Sequence, residues 1–210
     1  MSEGIVVEPP TPAPTGWYSF GRGTCAGFLR LYNRLEVRGS EKLPAEGPFL
    51  FVANHQSFFD IPILGAATRR HMAFVARKSL ADGKMMAWWL WQTRSILVKR
   101  GAADRGALRL IEAHLRAGDA VAVFPEGTRS ADGELGKPRG GAFFAAKRVG
   151  CPIFPAGIRG AIDAWPRSAI LPRPKKIVLE IGDPLDGGDP DAPERTWEAV
   201  RTLVGNGRLD

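Results

Sequence analysis

A histidine and an aspartate stand five residues apart directly after an apolar run. The run covers residues 49–53, and the segment NHQSFFD that follows it contains His55 and Asp60. A carboxylate that hydrogen-bonds one imidazole nitrogen fixes the tautomer and leaves the other nitrogen available as a general base. Because the chain has three histidines, this spacing can also arise by chance, and a histidine that satisfies a helix cap is an alternative on this segment alone.

A second polar segment, FPEGTRS at residues 124–130, follows another apolar run. Gly127 allows the backbone to approach a ligand closely, and Thr128 supplies a neutral hydrogen-bond donor. Arg129 supplies a planar charged fork, which is the side chain best suited to hold a phosphate. Glu126 would neutralise or orient Arg129, or hydrogen-bond a substrate hydroxyl. The alternative is a polar turn with an internal Glu–Arg pair.

Short apolar runs alternate with stretches of helical periodicity from residue 48 onward. Strands separated by helices predict a single layered α/β domain with a mostly parallel central sheet flanked by helices. Both polar segments then fall beyond the carboxyl ends of strands, where functional groups gather in such sheets. Since five residues of helix turn through about 500°, His55 and Asp60 can meet only if a loop holds His55 and the helix begins near Ser57. We predict strands over residues 49–53, 72–76, 95–99, 120–124, 153–158 and 177–181, and helices over residues 58–68, 106–117, 141–149 and 196–204.

The first 35 residues differ in composition from the rest of the chain. Residues 1–15 contain the proline-rich segment EPPTPAPT and are predicted to form a flexible tail. Residues 16–35 place Trp17, Phe20 and Leu31 near a spacing of three and four, which predicts an amphipathic segment. This segment either anchors the protein at a membrane interface, where Trp and Tyr are favoured, or packs on the core as an ordinary helix.

The overall composition excludes several classes of protein. Of the 210 residues, 44% are hydrophobic and 24% are charged, which is a globular balance. Two cysteines rule out a disulfide framework and a four-cysteine zinc site. No apolar stretch reaches the ~18 residues of a membrane span, and the start shows no secretory signal, so we expect a cytoplasmic chain that contacts a membrane only at its surface. The net charge of +7 favours anionic partners: phosphorylated molecules, an acidic membrane or nucleic acid.

Together the polar segments resemble one family, the PlsC-type glycerophosphate acyltransferases, chiefly the 1-acylglycerol-3-phosphate acyltransferases. Residues 54–60 match the family motif NHxSxxD, and residues 124–130 match its FPEGTRS motif letter for letter. The order and spacing of the motifs agree as well, and the resemblance covers about residues 35–185.

Other positions carry the same resemblance. Arg100, in the segment VKRG, corresponds to the arginine of a further motif and provides a second guanidinium for a phosphate. Residues 152–158 correspond to a strand with prolines, and Lys78 and Arg139 also match family positions. On this basis residues 36–210 are identified as the acyltransferase domain.

The resemblance implies transfer of an acyl group from acyl-CoA or acyl carrier protein to the free hydroxyl of a lysophospholipid. With 1-acylglycerol-3-phosphate as acceptor, the product is phosphatidic acid. His55 is then the general base, and Asp60 orients it. The residues implied to bind the substrate are Lys78, Arg100, Glu126, Gly127, Thr128 and Arg129. No metal or resident cofactor is implied, and the enzyme is expected at the cytoplasmic side of the cell membrane as a peripheral or monotopic protein.

Several alternatives stay open. A thioesterase-like hydrolase would use water in place of the alcohol, and an acyltransferase of this type can act on a different lysolipid. A lipid- or phosphate-binding module without turnover would use the same basic groups. Nucleic-acid binding is suggested only by the net charge, since no recognised nucleic-acid motif is present.

Two further segments have both a functional and an ordinary interpretation. The segment MMAWWLW, residues 85–91, carries too many tryptophans for one helix face, which favours a wall of an acyl-chain groove or a membrane-dipping surface over a core helix. The basic residues Arg167, Arg173, Lys175 and Lys176 form either a solvated loop or a contact with anionic lipid, coenzyme phosphates or an acidic carrier protein.

Overall fold

A computed structural model describes residues 15–77, 95–98 and 105–205, together with Asp82 and Leu209. The strands in these ranges are β1 (Glu36–Arg38), β2 (Phe49–Ala53), β3 (Met72–Arg77), β4 (Ile96–Val98), β5 (Ala120–Val123), β6 (Ile153–Arg159) and β7 (Val178–Ile181). The α-helices are α1 (Thr15–Tyr32), α2 (Asp60–Ala66), α3 (Arg105–Arg116), α4 (Gly141–Val149), α5 (Ala161–Ala164) and α6 (Ala192–Val204), and a short 3-10 helix covers Ser40–Lys42.

The seven described strands form one sheet in the order β1-β7-β6-β2-β5-β3-β4. Strand β2 is the middle strand, and it pairs in parallel with both β5 and β6. Among the described pairs, only β6 and β7 run antiparallel. The apolar runs form the inner strands because a parallel sheet is covered on both faces and therefore needs apolar residues at every position. The predicted α/β domain with a mostly parallel sheet is confirmed.

Two hydrophobic clusters lie on opposite faces of the sheet. Successive side chains of β2 alternate between them, since Phe49 and Phe51 join one cluster while Leu50 and Val52 join the other. Helices α1 and α2 cover the first face, and α3, α4 and α6 cover the second. Burial of both faces holds the carboxyl ends of the inner strands in fixed positions, and the two predicted polar segments leave the sheet there.

Helix α1 exposes the apolar stripe that the sequence shows and packs through its other side. Trp17, Phe20 and Leu31 are exposed to solvent, whereas Ala26 and Leu29 are buried in the core. The predicted amphipathic segment is therefore one helix that contacts the core and still presents large apolar side chains outward. Within the described part of the chain, no helix has both the length and the apolar character needed to cross a membrane.

The differences from the sequence prediction involve short elements and the starts of two helices, since α6 begins at Ala192 rather than at the predicted Thr196. Strand β1 and helix α5 were not predicted, because three or four residues are too few to show a periodicity. Helix α2 begins at Asp60 rather than at Phe58, since the preceding residues form a turn. The tail over residues 1–15, except Thr15, and the tryptophan-rich segment lie outside the described residues.

Candidate active site

The carboxylate of Asp60 closes the turn that follows β2. Its Oδ2 atom forms a 2.7 Å hydrogen bond with His55 Nδ1 and accepts the backbone N–H groups of Gln56 at 2.6 Å and Ser57 at 2.8 Å. Asp60 is fully buried as the first residue of α2. The expected contact between the two side chains is present because the turn, rather than a helix, carries the histidine back toward the aspartate.

The imidazole of His55 is held in one orientation at the surface of the turn. Its ring stacks on the ring of Phe124, with centroids 4.2 Å apart and an angle of 14° between the planes. The side chain is 20% exposed, whereas that of Asp60 has no exposure. Since Nδ1 bonds to the carboxylate, Nε2 is the nitrogen available to a substrate.

Three polar side chains around His55 fix the turn to neighbouring segments. Asn54 pairs with the backbone of Ile158 in β6, donating through Nδ2 at 2.9 Å and accepting through Oδ1 at 2.7 Å. Gln56 donates through Nε2 to the carbonyl of Gly133 at 2.9 Å, and the hydroxyl of Ser57 donates to the carbonyl of Trp165 at 2.8 Å. No role for these side chains is predicted from the sequence, although a run of polar residues between a buried strand and a helix is a signal for such anchoring.

The segment after β5 lies against this turn. The N–H of Ser130 donates to the carbonyl of His55 at 2.7 Å. In the opposite direction, the N–H of His55 donates to Oε1 of Glu126 at 2.8 Å, and the N–H of Gly136 donates to Oε2 of the same side chain at 2.9 Å. The two polar segments predicted from the sequence therefore meet at one edge of the sheet, as the parallel pairing of β2 and β5 requires.

Glu126 is buried, and both of its carboxylate oxygens accept backbone amides. Burial raises the pKa of this carboxyl above its ordinary value, and the hydrogen bonds from Gly136 and His55 lower it by less. The carboxylate points at the backbone of the histidine turn, and the substrate-binding role of Glu126 stays a prediction. Its contacts make Glu126 part of the frame that positions His55.

The remaining predicted residues of this segment are open to solvent. Gly127 has a φ of +69°, a conformation that favours glycine, and a Cβ at this position would lie 3.3 Å from the guanidinium carbon of Arg139. Gly127 and Thr128 are exposed, and Arg129 is partly exposed. The guanidinium carbon of Arg129 lies 3.6 Å from the ring centroid of Phe58. The segment that carries this cationic group and the Thr128 hydroxyl is bonded to the turn of His55 through Ser130, and a guanidinium with a neutral donor can hold an anionic group.

Two predicted substrate-binding residues, Lys78 and Arg100, lie outside the described residues. In the ranges that are described, no group of three or more His, Cys, Asp or Glu side chains is arranged to hold a metal ion.

The chain is similar to proteins that act on lysolipids. A chloroplastic 1-acyl-sn-glycerol-3-phosphate acyltransferase of Brassica napus is 29% identical over 72% of this chain and 43% of its own length. A lyso-ornithine lipid O-acyltransferase of Pseudomonas aeruginosa is 31% identical over 62% of this chain and 50% of its length. The chain thus spans about half the length of these relatives or less.

A crystal structure gives a longer match. The 1-acyl-sn-glycerophosphate acyltransferase PlsC from Thermotoga maritima superposes with a TM-score of 0.73 at 27% identity, covering 90% of this chain and 85% of that one. The family model described as acyltransferase matches residues 34–159, which is more than half of the chain and includes both polar segments. The chain belongs to the acyltransferase family.

Proposed function

We propose that the protein transfers a fatty acyl group from an acyl thioester to the free hydroxyl of 1-acylglycerol-3-phosphate, forming phosphatidic acid. The observation that carries this proposal is the contact between the two polar segments. The N–H of Ser130 donates to the carbonyl of His55, and the imidazole of His55 bonds to Asp60. A general base and a phosphate-binding segment are thereby held side by side. The names of the similar proteins support the same substrate class.

One proton moves twice in this reaction. Nε2 of His55 accepts the proton of the acceptor hydroxyl as the hydroxyl oxygen attacks the thioester carbonyl carbon and forms the new C–O bond. The carboxylate of Asp60 stabilises the imidazolium that results. When the C–S bond breaks, the imidazolium returns the proton to the departing thiolate, so the enzyme ends unchanged. A side chain that forms a covalent acyl intermediate is not required.

The acceptor phosphate is proposed to bind at the 126–130 segment. Arg129 offers its guanidinium, and the hydroxyl of Thr128 offers a neutral donor. Gly127, whose own N–H donates to the carbonyl of Phe124 at 3.0 Å, lets the backbone approach the phosphate closely. Lys78 and Arg100 remain proposed as additional cations of this site. Glu126 contributes through the backbone of His55, which keeps this segment in register with the base.

A product assay with purified protein tests the proposal. The protein is incubated with 1-acylglycerol-3-phosphate and either acyl-CoA or acylated carrier protein, and the lipids are identified by mass spectrometry. We expect phosphatidic acid with at least one donor, and only slow release of free fatty acid when the acceptor is omitted. Rapid thioester hydrolysis that ignores the acceptor would instead assign the protein as a thioesterase.

The phosphate site is tested with Arg129→Ala. The loss of a charged hydrogen-bond donor is expected to raise KM for 1-acylglycerol-3-phosphate by about 10- to 100-fold, with KM for the acyl donor unchanged. The control is Arg116→Ala, an exposed arginine of α3 that pairs with Glu112. If Arg129→Ala changed only the acyl-donor KM, the phosphate assignment would be wrong.

A different lysolipid acceptor is the second candidate, and the similarity to the lyso-ornithine lipid acyltransferase favours it. The discriminating property is the phosphate, because an ornithine lipid has none for Arg129 to bind. Competition between the two acceptors in one assay decides between these functions. Preference for the lyso-ornithine lipid would replace the phosphatidic acid assignment.

The same proposal places the protein at the cytoplasmic face of the cell membrane as a peripheral or monotopic protein. The exposed stripe of α1 includes Leu31, which is 86% exposed, and the loop before β7 presents Ile170, which is 90% exposed. The two regions are joined, since the hydroxyl of Tyr32 donates to the carbonyl of Pro172 at 3.1 Å. Exposed apolar side chains beside basic residues such as Arg173 suit an anionic bilayer surface.

Vesicle binding tests this membrane surface. Sedimentation with vesicles of phosphatidylcholine plus phosphatidylglycerol is compared for the wild type, Phe20→Ser and Ile170→Ser. The matched control is Phe144→Ser, because Phe144 is a similarly exposed phenylalanine on α4. We expect the first two variants to bind several-fold more weakly and the control to bind normally. Equal binding by all proteins would remove α1 and this loop from the proposed surface.

A further inference from the structure

We infer that Phe58 is a positioning residue whose ring holds the guanidinium of Arg129 in the orientation that binds the acceptor phosphate. The inference rests on the proposed function and adds a residue that neither the sequence nor the family resemblance assigned to the site. Phe58 is one of the unspecified positions of the NHxSxxD segment, between the base and the carboxylate.

The contact between Phe58 and Arg129 is close. The guanidinium carbon lies 3.6 Å from the ring centroid, which is stacking distance. Phe58 is 47% exposed, while the adjacent Phe59 is buried in the core. Burial therefore does not account for an aromatic residue at position 58, whereas the stack on Arg129 does.

The ring of Phe58 also packs against Trp165. Trp165 packs on it with centroids 5.1 Å apart, and the same indole packs on Phe59 at 4.9 Å. The indole Nε1 of Trp165 donates to the carbonyl of Ala169 at 3.1 Å, and the hydroxyl of Ser57 donates to the carbonyl of Trp165. The guanidinium thus stacks on a ring that lies in a fixed turn.

Stacking on a ring suits a phosphate-binding arginine for a geometric reason. All five N–H donors of a guanidinium lie in its plane, so a ring stacked on one face does not block the edge through which a guanidinium binds two phosphate oxygens. An arginine also has many rotamers, and a contact that restricts them lowers the entropy lost when the phosphate binds. Because Phe58 and His55 belong to one turn, the stack also fixes the distance between the base and the phosphate.

A different role for Phe58 leads to different measurements. An exposed phenylalanine beside a lipid enzyme's active site can contact the acyl chain of a substrate or the bilayer. Loss of that contact would weaken the binding of ligands that have acyl chains and would leave phosphate binding unchanged. Glycerol 3-phosphate has the phosphate without an acyl chain, so it separates the two roles when used as a competitive inhibitor.

The test compares Phe58→Leu and Phe58→Tyr with the wild type. Leucine keeps an apolar side chain but removes the ring, and we expect KM for 1-acylglycerol-3-phosphate and Ki for glycerol 3-phosphate both to rise about 3- to 10-fold. The acyl-donor KM and the turnover number should change less than twofold, and Phe58→Tyr should behave as the wild type does. Phe144→Leu controls for loss of an exposed ring, and the thermal midpoint of each variant shows that it is folded.

A double substitution tests whether Phe58 acts through Arg129. In the Arg129→Ala background, Phe58→Leu should cause no further rise in KM, because the group that the ring positions is absent. The inference would be overturned if the double variant showed the product of the two single KM increases. It would also be overturned if Phe58→Leu left Ki for glycerol 3-phosphate unchanged or raised only KM for the acyl donor. Each of these results would leave the proposed function intact. A wild-type protein without activity on 1-acylglycerol-3-phosphate would overturn the proposed function and this inference together.

Discussion

The described part of the chain contains two histidine–aspartate pairs with the same spacing and nearly the same hydrogen bond. Nδ1 of His55 lies 2.7 Å from Oδ2 of Asp60, and Nδ1 of His114 lies 2.8 Å from Oδ2 of Asp119. Both partners are five residues apart in the chain. Spacing and contact distance therefore give no reason to assign a catalytic role to one pair rather than to the other.

The pairs differ in their position on the sheet. His55 follows the carboxyl end of β2, whereas Asp119 directly precedes the amino end of β5. Since these strands are parallel neighbours, one pair lies at the edge formed by the carboxyl ends of the strands and the other at the edge formed by their amino ends. Ligands of such sheets bind at the carboxyl ends of the strands, which is the side of the first pair.

The surroundings of the pairs differ as well. Asp60 accepts two backbone amides in addition to the imidazole, and the turn beside it contacts the 126–130 segment. At the other edge, the amide of Asp119 donates to the carbonyl of His114 in the last turn of α3, and Arg70 donates to the carbonyl of Gly118 at 2.8 Å. A histidine–aspartate pair can therefore serve as a general base where a second segment holds a substrate next to it.

The largest expected effect is a contrast between two histidine substitutions. His55→Ala removes the proposed general base and should lower the turnover number by ~10²-fold or more, the usual contribution of such a group. His114→Ala should keep turnover within about twofold, because it lies at the edge without a substrate segment. The measurement is phosphatidic acid formation at saturating substrates, with thermal unfolding of both variants. Near-normal rates for His55→Ala would remove it from the proposed role.

The carboxylates give the second contrast. Asp60→Asn removes the charge that stabilises the imidazolium and places an amide group against two backbone N–H donors, so we expect turnover to fall about 10²-fold. Because Asp60 is fully buried, the variant should also be less stable than the wild type. Turnover and KM are measured for Asp60→Asn and for its match, Asp119→Asn. A similar loss of activity in both variants would abolish the distinction between the two edges.

The parts of the fold that the sequence predicts well are those with a strong local pattern. Residues of β2 and β5 are apolar at every position because both faces of the sheet are covered, and this pattern marks a buried strand. The orientation of α1 was not predictable, since Tyr18 and Leu29 on the buried side are as apolar as Trp17 and Leu31 on the exposed side. Hydrophobic spacing alone does not say which of two apolar stripes a domain buries.

In the candidate site, too, the residues that follow a strong local pattern were predictable and their other contacts were not. His55 and Arg129 stand after apolar runs, and the carboxyl-end rule brings such segments together once the strands are neighbours. The partners of Glu126 were not predictable, because its carboxylate binds the amides of His55 and Gly136, and any residue supplies an amide. The stack of Phe58 on Arg129 joins residues far apart in the sequence, and no local pattern encodes it.

Glu126→Gln is expected to have an intermediate effect on the turnover number and tests a feature of the His55–Asp60 pair. A buried carboxylate lies behind the backbone of His55, and glutamine at position 126 would turn its Nε2 toward one of two N–H donors. We expect about a tenfold lower turnover number, the effect of one opposed hydrogen bond near the base. Both substrate KM values should stay within about threefold, because both carboxylate oxygens of Glu126 contact backbone amides.

The same variant has a pH dependence whose sign follows from burial. The pKa of Glu126 is raised in the folded protein, so its stabilising contribution is complete below the ordinary value and is lost as the pH rises through the folded-state value. Glutamine does not titrate. The stability of Glu126→Gln relative to the wild type should therefore increase between pH 4 and pH 7, as measured by urea unfolding. A relative decrease over that range would mean that the charged carboxylate is the favoured form in the fold.

The smallest effect is expected at the amino edge of the sheet. Asp119→Asn weakens the hydrogen bond to His114 and removes a negative charge near Arg70, whose guanidinium also donates to the carbonyls of Pro44 and Gly47. We expect the free energy of unfolding to fall by about 1 kcal/mol while turnover and KM change less than twofold. Urea unfolding and steady-state kinetics on one preparation provide both numbers. A tenfold loss of turnover without a loss of stability would show that the amino edge takes part in the reaction, and position on the sheet would no longer separate the two pairs.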